Sequence, residues 1–212
     1  MDRIVDISSD GVHLNRERGF LSVRKDGADL GRIPLDDIAA IIMNAHGITI
    51  SNNLIFSCGE RGIVIVSCAA NFRPIVWLWP LEAHHRQQSV IRAQASATAP
   101  LKKRLWQSIV KSKIVMQAAV AESCGYEGGA FDILRRKVRS GDPDNIEAQA
   151  ARRYWPLVMG GEFRRDRTSG GINGMLNYGY AVIRAAVSRS IAAAGLHPSI
   201  GLHHANQYNA FC

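Results

Sequence analysis

The chain has 212 residues, of which 47% are hydrophobic and 21% are charged, an ordinary balance for a globular protein. It contains no run of eighteen or more apolar residues, and its first residues lack the long apolar core of a signal peptide. The composition therefore argues against a membrane helix and predicts a cytoplasmic protein of one large or two small domains.

The positive charge is confined to the second half of the chain. Residues 1–100 contain ten Lys or Arg and ten Asp or Glu, whereas residues 101–212 contain sixteen and eight, which accounts for the whole net charge of +8. A basic half beside a neutral half is typical of proteins that bind a polyanion such as nucleic acid. Solvated helices also carry Lys and Arg, so the asymmetry favours nucleic acid without requiring it.

Short strands are predicted along the first eighty residues, because alternating or β-branched segments recur there between turn residues. These segments are Arg3–Ile7, Phe20–Arg24, Ile38–Met43, Gly47–Ser51 and Ile63–Ser67. A short helix is expected over Asn53–Arg61, and a last strand over Pro74–Pro80. The pattern indicates a β-sandwich-like domain with one small helix.

Helical spacing replaces the strand pattern after residue 84. Apolar stripes predict one helix that begins near Pro100 and another that Gly195 ends, and Asp142–Asn145 supplies an N-cap for a helix from Glu147 to about Val158. The first stripe is Leu101, Leu105, Ile109 and Val115 or Met116, and the second is Leu176, Tyr180, Ile183, Val187 and Ile191. The fold class is therefore α+β, with a β domain over residues 1–76, a linker over 77–86 and an all-helical domain over 87–212.

Common catalytic motifs are missing from the sequence. It has no GxxxxGK[ST], GxSxG or HExxH pattern, and the four cysteines are too scattered for a structural zinc site. We interpret Cys58 and Cys68 as small core residues.

Glu147 and the pair His203-His204 are the residues with the clearest chemical potential. Small alanines surround Glu147 and leave room for a ligand or another helix, but a first-turn carboxylate is also favoured by the helix dipole alone. Adjacent imidazoles on an extended segment point in opposite directions, so only one of the two histidines is expected to face a given site. One glutamate and one histidine make an incomplete site for a hard cation such as Mg²⁺ or Mn²⁺.

Several segments, in order along the chain, resemble CRISPR-associated protein 1, the family that inserts new spacers into CRISPR arrays. The β-domain resemblance lies in Gly31–Ile38, Ile41–Met43 and Ile48–Ser51. Asn145–Trp155 resembles the helix that bears the family's metal-binding glutamate, and Asn173–Tyr180 resembles its Asn-x-x-Leu-Asn-Tyr-Gly-Tyr helix. Ala194–His204 resembles the loop that bears its metal-binding histidine, and His203–Phe211 is most similar to members from type II systems.

The resemblance implies a metal-dependent DNA endonuclease and integrase that works in antiviral defence. Glu147 and His204 would be its catalytic and metal-binding residues, with Mg²⁺ or Mn²⁺ as the cofactor. The implied partners are double-stranded DNA (protospacer and CRISPR repeat), a second copy bound through the β domain, and CRISPR-associated protein 2, with no membrane. Candidate phosphate contacts are Arg152, Arg153, Arg164, Arg165 and Arg184, each of which also has an ordinary role on a solvated helix face.

The family's third ligand is an acidic residue in a helix after the histidine loop, and this sequence stops at Cys212 before such a helix. We therefore expect an incomplete metal site and weak or absent nuclease and integrase activity from this chain. Two alternatives stay open. One is a non-catalytic DNA-binding or assembly subunit, and the other is an unrelated metal-dependent nuclease that cuts DNA without joining ends.

Overall fold

The computed structural model describes residues 3–72, 74–81 and 84–203. The strands are β1 (Arg3–Ile7), β2 (His13–Glu17), β3 (Phe20–Lys25), β4 (Ala28–Pro34), β5 (Ile38–Met43), β6 (Thr49–Ile50), β7 (Val64–Cys68) and β8 (Pro74–Leu78). The α-helices are α1 (Asn52–Glu60), α2 (Gln87–Ala95), α3 (Ala99–Ser123), α4 (Gly129–Lys137), α5 (Ile146–Met159) and α6 (Ile172–Ala193). The predicted α+β class, with strands first and helices after, is confirmed.

The strands form two four-stranded sheets that share a core. The first sheet has the order β1-β5-β7-β8, with only β7 and β8 antiparallel, and the second has the order β4-β3-β2-β6. Ile41 and Ile65 of the first sheet lie in the same buried cluster as Leu14 and Leu21 of the second. The predicted sandwich-like arrangement follows from this shared core, which α1 completes with Leu54.

Two tight hairpins build the second sheet. Arg18 and Gly19 join β2 to β3 with φ of 47° and 86°, and Asp26 and Gly27 join β3 to β4 with φ of 49° and 80°. Positive φ at both central residues is the hairpin turn that matches the twist of the strands, and it favours Gly at the second position. The Asp-Gly turn was predicted from the sequence, whereas Arg18-Gly19 was not, and β2 and β4 were missed.

The described residues group into two compact units that are not consecutive along the chain. One unit draws on Met1–Arg92 and Arg167–His197, and the other on Ala93–Asp166 and Pro198–Cys212. Helix α6 therefore belongs to the same unit as the sheets, an assignment that the sequence did not indicate. The predicted domain boundaries at residues 76 and 87 stay a prediction.

Helix α6 packs on the first sheet through small side chains. Its buried residues are Ala181, Ala185, Ser188 and Ala192, and Ala185 lies against a buried cluster of the first sheet that includes Ala40, Ile42, Val64 and Val66. Most of the predicted apolar stripe points elsewhere, since Tyr180, Ile183 and Val187 are 41%, 58% and 50% exposed. The stripe correctly predicted a helix, but close approach to the sheet selects the alanine face instead.

The other unit is built from α3, α4 and α5. Val110 and Ile114 of α3 pack with Phe131 of α4 and with Ile146 and Ala150 of α5. The predicted stripe on α3 does not form this buried face, because Leu101, Leu105 and Ile109 are 39%, 44% and 46% exposed. Helix α4 was not predicted at all.

Cys58 is fully buried in the core of the sheet unit. Its burial raises the pKa of the thiol to about 11, so the group stays neutral and behaves as a small apolar side chain. The interpretation as a core residue is confirmed for Cys58. Among the described residues, no helix is both long and apolar enough to cross a bilayer.

Candidate active site

The start of helix α5 is held by two acceptors from the preceding loop. The side chain of Asn145 accepts a hydrogen bond from the Ala148 amide at 3.4 Å. The Asp142 carboxylate accepts from the Ile146 amide at 2.9 Å and from the Glu147 amide at 3.0 Å. These contacts satisfy amides that have no partner inside the helix, and they fix the backbone of Glu147.

The loop before α5 is stabilised by contacts on either side of Asp142, which is only 8% exposed. Arg139 donates to both carboxylate oxygens of Asp144, at 2.9 and 2.8 Å, and this contact lowers the pKa of Asp144 from its ordinary value. Asp142 and Asn145 both have left-handed φ, at 48° and 49°, which Asp and Asn tolerate better than most residues. The loop therefore presents Glu147 from a defined backbone position.

The Glu147 side chain contacts a cation on the neighbouring helix α3. Lys113 Nζ lies 2.5 Å from Glu147 Oε1. The Glu147 side chain is 25% exposed and that of Lys113 is 46% exposed, so the pair is partly open to solvent. Glu147 is therefore both a first-turn residue of α5 and the anionic partner of a lysine on α3.

Of the two adjacent histidines, the structure describes His203. Its ring is stacked on the Trp106 indole, with 4.6 Å between ring centroids and 7° between planes. Trp106 and Lys113 are seven residues apart on α3, hence on the same helix face about 10 Å apart along the axis. His204, the histidine predicted to bind metal, lies outside the described residues.

The Glu147 side chain is of a type that divalent metals accept as a ligand. Its carboxylate is a hard oxygen donor, and the Lys113 ammonium shows that a cation is stable against it. Within the described ranges, no group of three or more His, Cys, Asp or Glu side chains is arranged to hold a metal.

Three of the five predicted DNA-contact arginines lie together at one cavity, which Ala148, the residue after Glu147, also lines. Arg152, Arg164 and Arg165 line one cavity of about 580 Å³, with Trp155 and Phe163 as aromatic walls. The other lining residues are Ala148, Ala151 and Pro156. Arg153 is not among the lining residues, and Arg184 lies on α6 in the other unit.

This cavity explains part of the alanine pattern around Glu147. Ala148 and Ala151 line the cavity and leave space for a ligand, whereas Ala150 is fully buried against the helical core. Close helix packing, one of the two predicted reasons for small residues, is therefore confirmed at Ala150, and room for a ligand stays a prediction.

Backbone carbonyls orient two of the cavity's guanidinium groups. Arg164 Nη1 donates to the Gly161 and Phe163 carbonyls, both at 3.0 Å, and Arg165 Nη1 donates to the Asp166 carbonyl at 2.9 Å. On α6, burial and the neighbouring Arg167 lower the pKa of Arg184, but a guanidinium still stays charged at neutral pH.

Comparison with known proteins gives the decisive observation. The family model for CRISPR associated protein Cas1 matches residues 5–212. The chain belongs to the Cas1 family. The family resemblance stated from the sequence is thereby confirmed.

Individual Cas1 relatives agree over most of this chain. A CRISPR-associated endonuclease Cas1 of Neisseria meningitidis is 37% identical over 203 residues, which cover 95% of this chain and 66% of the relative. A Cas1 endonuclease of Pyrobaculum aerophilum is 29% identical over 218 residues, which cover 93% and 71%. This chain therefore spans about two thirds of the length of these relatives.

Solved structures confirm the Cas1 fold. A Cas1 protein from Thermotoga maritima has a TM-score of 0.78 at 14% identity, covering 99% of this chain and 71% of its own. A casposase bound to an integration product has the same TM-score at 17% identity, covering 99% and 67%.

Sequence reasoning identified Glu147 and placed Asp142 in the N-cap segment before its helix, but it missed Lys113. Asp142 carried a usable signal, because an acidic residue shortly before a helix often caps it. Lys113 carried none, since Lys113 and Glu147 lie on different helices and are 34 residues apart in sequence.

Proposed function

We propose that the protein carrying this chain is a divalent-metal-dependent DNA endonuclease and integrase that inserts spacers into CRISPR arrays. The observation that carries the proposal is Cas1 family membership over residues 5–212. The basic cavity next to Glu147 supports it, because phosphodiester chemistry needs cations beside the reacting phosphate.

Glu147 and His204 are the proposed ligands of a Mg²⁺ or Mn²⁺ ion. The stacking of His203 on Trp106 supports the choice of its neighbour as the ligand. A bound ion would polarise a phosphoryl oxygen and stabilise the charge that develops on it. In the joining step, a spacer 3′-hydroxyl attacks a repeat-boundary phosphate, and the bond from that phosphorus to the repeat strand's own oxygen breaks.

The arginines of the cavity are proposed to hold the DNA backbone during this step. Arg152, Arg164 and Arg165 line a cavity together with Ala148 and Ala151 of α5, where they would neutralise phosphates and position the strand. Arg153 and Arg184 remain proposed contacts on separate surfaces. These residues contribute affinity more than sequence discrimination.

The proposed partners are double-stranded DNA, CRISPR-associated protein 2 and a second copy of the chain, in the cytoplasm. Structural neighbours include a casposase bound to an integration product and a Cas6-RT-Cas1–Cas2 complex, which has a TM-score of 0.73. The β-domain dimer is supported by β8, a strand at the edge of its sheet where Ile75, Val76 and Leu78 are 54%, 50% and 37% exposed.

A non-catalytic DNA-binding or assembly subunit is the second candidate. The observation that favours it is the Lys113 ammonium on Glu147, because a structural ion pair would have the same geometry. This alternative predicts DNA binding that is independent of divalent metal and unaffected by Glu147→Gln.

The test incubates the protein that carries this chain with labelled duplex DNA in Mn²⁺ or in EDTA. High protein concentration and long incubation make a weak product visible. We expect cut or joined product in Mn²⁺ that EDTA removes and that Glu147→Gln reduces at least a hundredfold. Glu162→Gln, which changes an exposed glutamate in the same unit, serves as the matched control and is expected to retain the product. Product that survives Glu147→Gln, or metal-independent DNA binding with no product, would overturn the proposal.

A further inference from the structure

The Lys113–Glu147 pair joins two helices at the carboxylate proposed to bind metal. Lys113 Nζ contacts Oε1 of Glu147 at 2.5 Å, and no other ion pair to Glu147 occurs among the described residues. The lysine lies on α3, one residue before the buried Ile114, so its Cα position is fixed by the helical core. Its long side chain remains free to move, because it is 46% exposed.

A metal ion and the Lys113 ammonium compete for binding to the Glu147 carboxylate. Both need the oxygen lone pairs of Glu147, and two cations within a few ångströms of each other repel. A divalent ion that binds Glu147 therefore displaces Lys113 or binds against its charge. Lysine suits this exchange, since its ammonium is a point charge on a flexible four-carbon stem.

A Lys113 ammonium displaced from Glu147 would be able to bind a DNA phosphate. Ala148 and Ala151, which follow Glu147 on α5, line the cavity with Arg152, Arg164 and Arg165. A DNA phosphate held at that rim would be an alternative partner for the ammonium of a released Lys113. Lys113 would then neutralise phosphate charge in place of the Glu147 carboxylate.

We propose that Lys113 is an exchangeable counter-ion: it occupies Glu147 in the metal-free protein, and a divalent metal displaces it toward the DNA phosphates. Metal and DNA binding are then positively coupled, and by linkage each ligand strengthens the other by the same factor. This inference rests on the proposed function, because it requires Glu147 to be a metal ligand.

Manganese affinity without DNA tests the displacement step. Four forms of the protein that carries this chain are titrated with MnCl₂ and followed by the loss of the free Mn²⁺ signal in electron paramagnetic resonance: wild type, Lys113→Met, Lys111→Met and Glu147→Gln. Breaking an exposed ion pair is worth about 0.2–1 kcal/mol, so Lys113→Met should bind Mn²⁺ roughly two- to fivefold more tightly than wild type. Lys111→Met removes the same charge from the same helix and is expected to match wild type.

Duplex affinity with and without Mn²⁺ tests the coupling. We expect Mn²⁺ to strengthen DNA binding by wild type and by Lys111→Met, and to strengthen it at least twofold less for Lys113→Met. This readout does not depend on catalysis.

The outcomes separate failure of the inference from failure of the proposed function. If Glu147→Gln binds Mn²⁺ as wild type does, the proposed metal site is wrong and the inference falls with it. If Glu147→Gln loses Mn²⁺ but Lys113→Met behaves like Lys111→Met in both assays, only the counter-ion proposal is overturned. If neither wild type nor Lys113→Met binds Mn²⁺, both are contradicted.

Discussion

At the residue scale, the geometry of Glu147 depends on Asp142 more than on its own helix. Asp142 is 8% exposed, and its two oxygens accept from the amides of Ile146 and Glu147. Removing the Asp142 carboxylate leaves two amides at the start of α5 without a hydrogen-bond partner, in a region that water reaches poorly. Glu147 would lose both the stability and the backbone position that the proposed site needs.

Asp142→Ala is therefore expected to lower the free energy of unfolding by about 1–2 kcal/mol, the usual cost of losing a helix cap. Urea denaturation measures the change. Asp142→Asn is the matched control, because it keeps one carbonyl acceptor and tolerates the left-handed backbone at φ 48°. Equal stability of wild type and Asp142→Ala would show that the carboxylate does not cap α5.

At the element scale, local patterns located helices but not their buried faces. The stripes of α3 and α6 repeat at helical spacing, yet Ile109 and Ile183 are 46% and 58% exposed while Ala181 and Ala185 are buried. Periodicity shows which residues share a helix face. The width of the space between the helix and its packing partner decides which of those faces is buried. That space is a tertiary property, so it could not be read from either helix alone.

The same distinction explains which strands were predicted. Strands β1 and β5 have the predicted bounds, because one alternates and the other is rich in β-branched residues. Strand β4 was missed because its sequence, ADLGRIP, contains Gly31 and charged residues and is mostly exposed. In the candidate site, the sequence and the family resemblance pointed to Glu147 and the arginines, whereas the contact with Lys113 required the packing of α3 against α5.

Packing of α6 on the first sheet gives a prediction for this element. Ala185 is fully buried against the sheet, so Ala185→Leu should overpack the interface and cost about 1–3 kcal/mol of unfolding free energy. Ile183→Leu, on the exposed face two residues earlier, should change it by less than about 0.5 kcal/mol. Thermal or urea unfolding compares the two, and similar effects at both positions would contradict the assigned buried face.

At the scale of the whole molecule, the excess positive charge lies in the second half of the chain. The net charge of +8 arises entirely after residue 100, and the cavity with Arg152, Arg164 and Arg165 lies in that half. Each neutralised phosphate contributes about −0.9 to the slope of log affinity against log salt concentration for duplex DNA. Charge at this cavity should therefore be visible in the salt dependence of DNA binding.

Replacing all three cavity arginines with glutamine is expected to make that slope shallower by about 2–3 and to weaken duplex binding at low salt. Fluorescence anisotropy at several salt concentrations measures both quantities. Arg16→Gln, at an exposed arginine of β2, is expected to leave the slope unchanged. A slope that the cavity substitutions do not alter would place the DNA on another surface.

The central claim is that Glu147 belongs to a metal site that joins DNA ends, and strand transfer tests it most directly. A labelled duplex with free 3′-hydroxyl ends is incubated with a repeat-containing plasmid, Mn²⁺, CRISPR-associated protein 2 and the protein that carries this chain. We expect labelled plasmid to form only with Mn²⁺, and we expect Glu147→Gln but not Glu162→Gln to abolish its formation. Cleavage without joining, or joining that Glu147→Gln leaves intact, would contradict it.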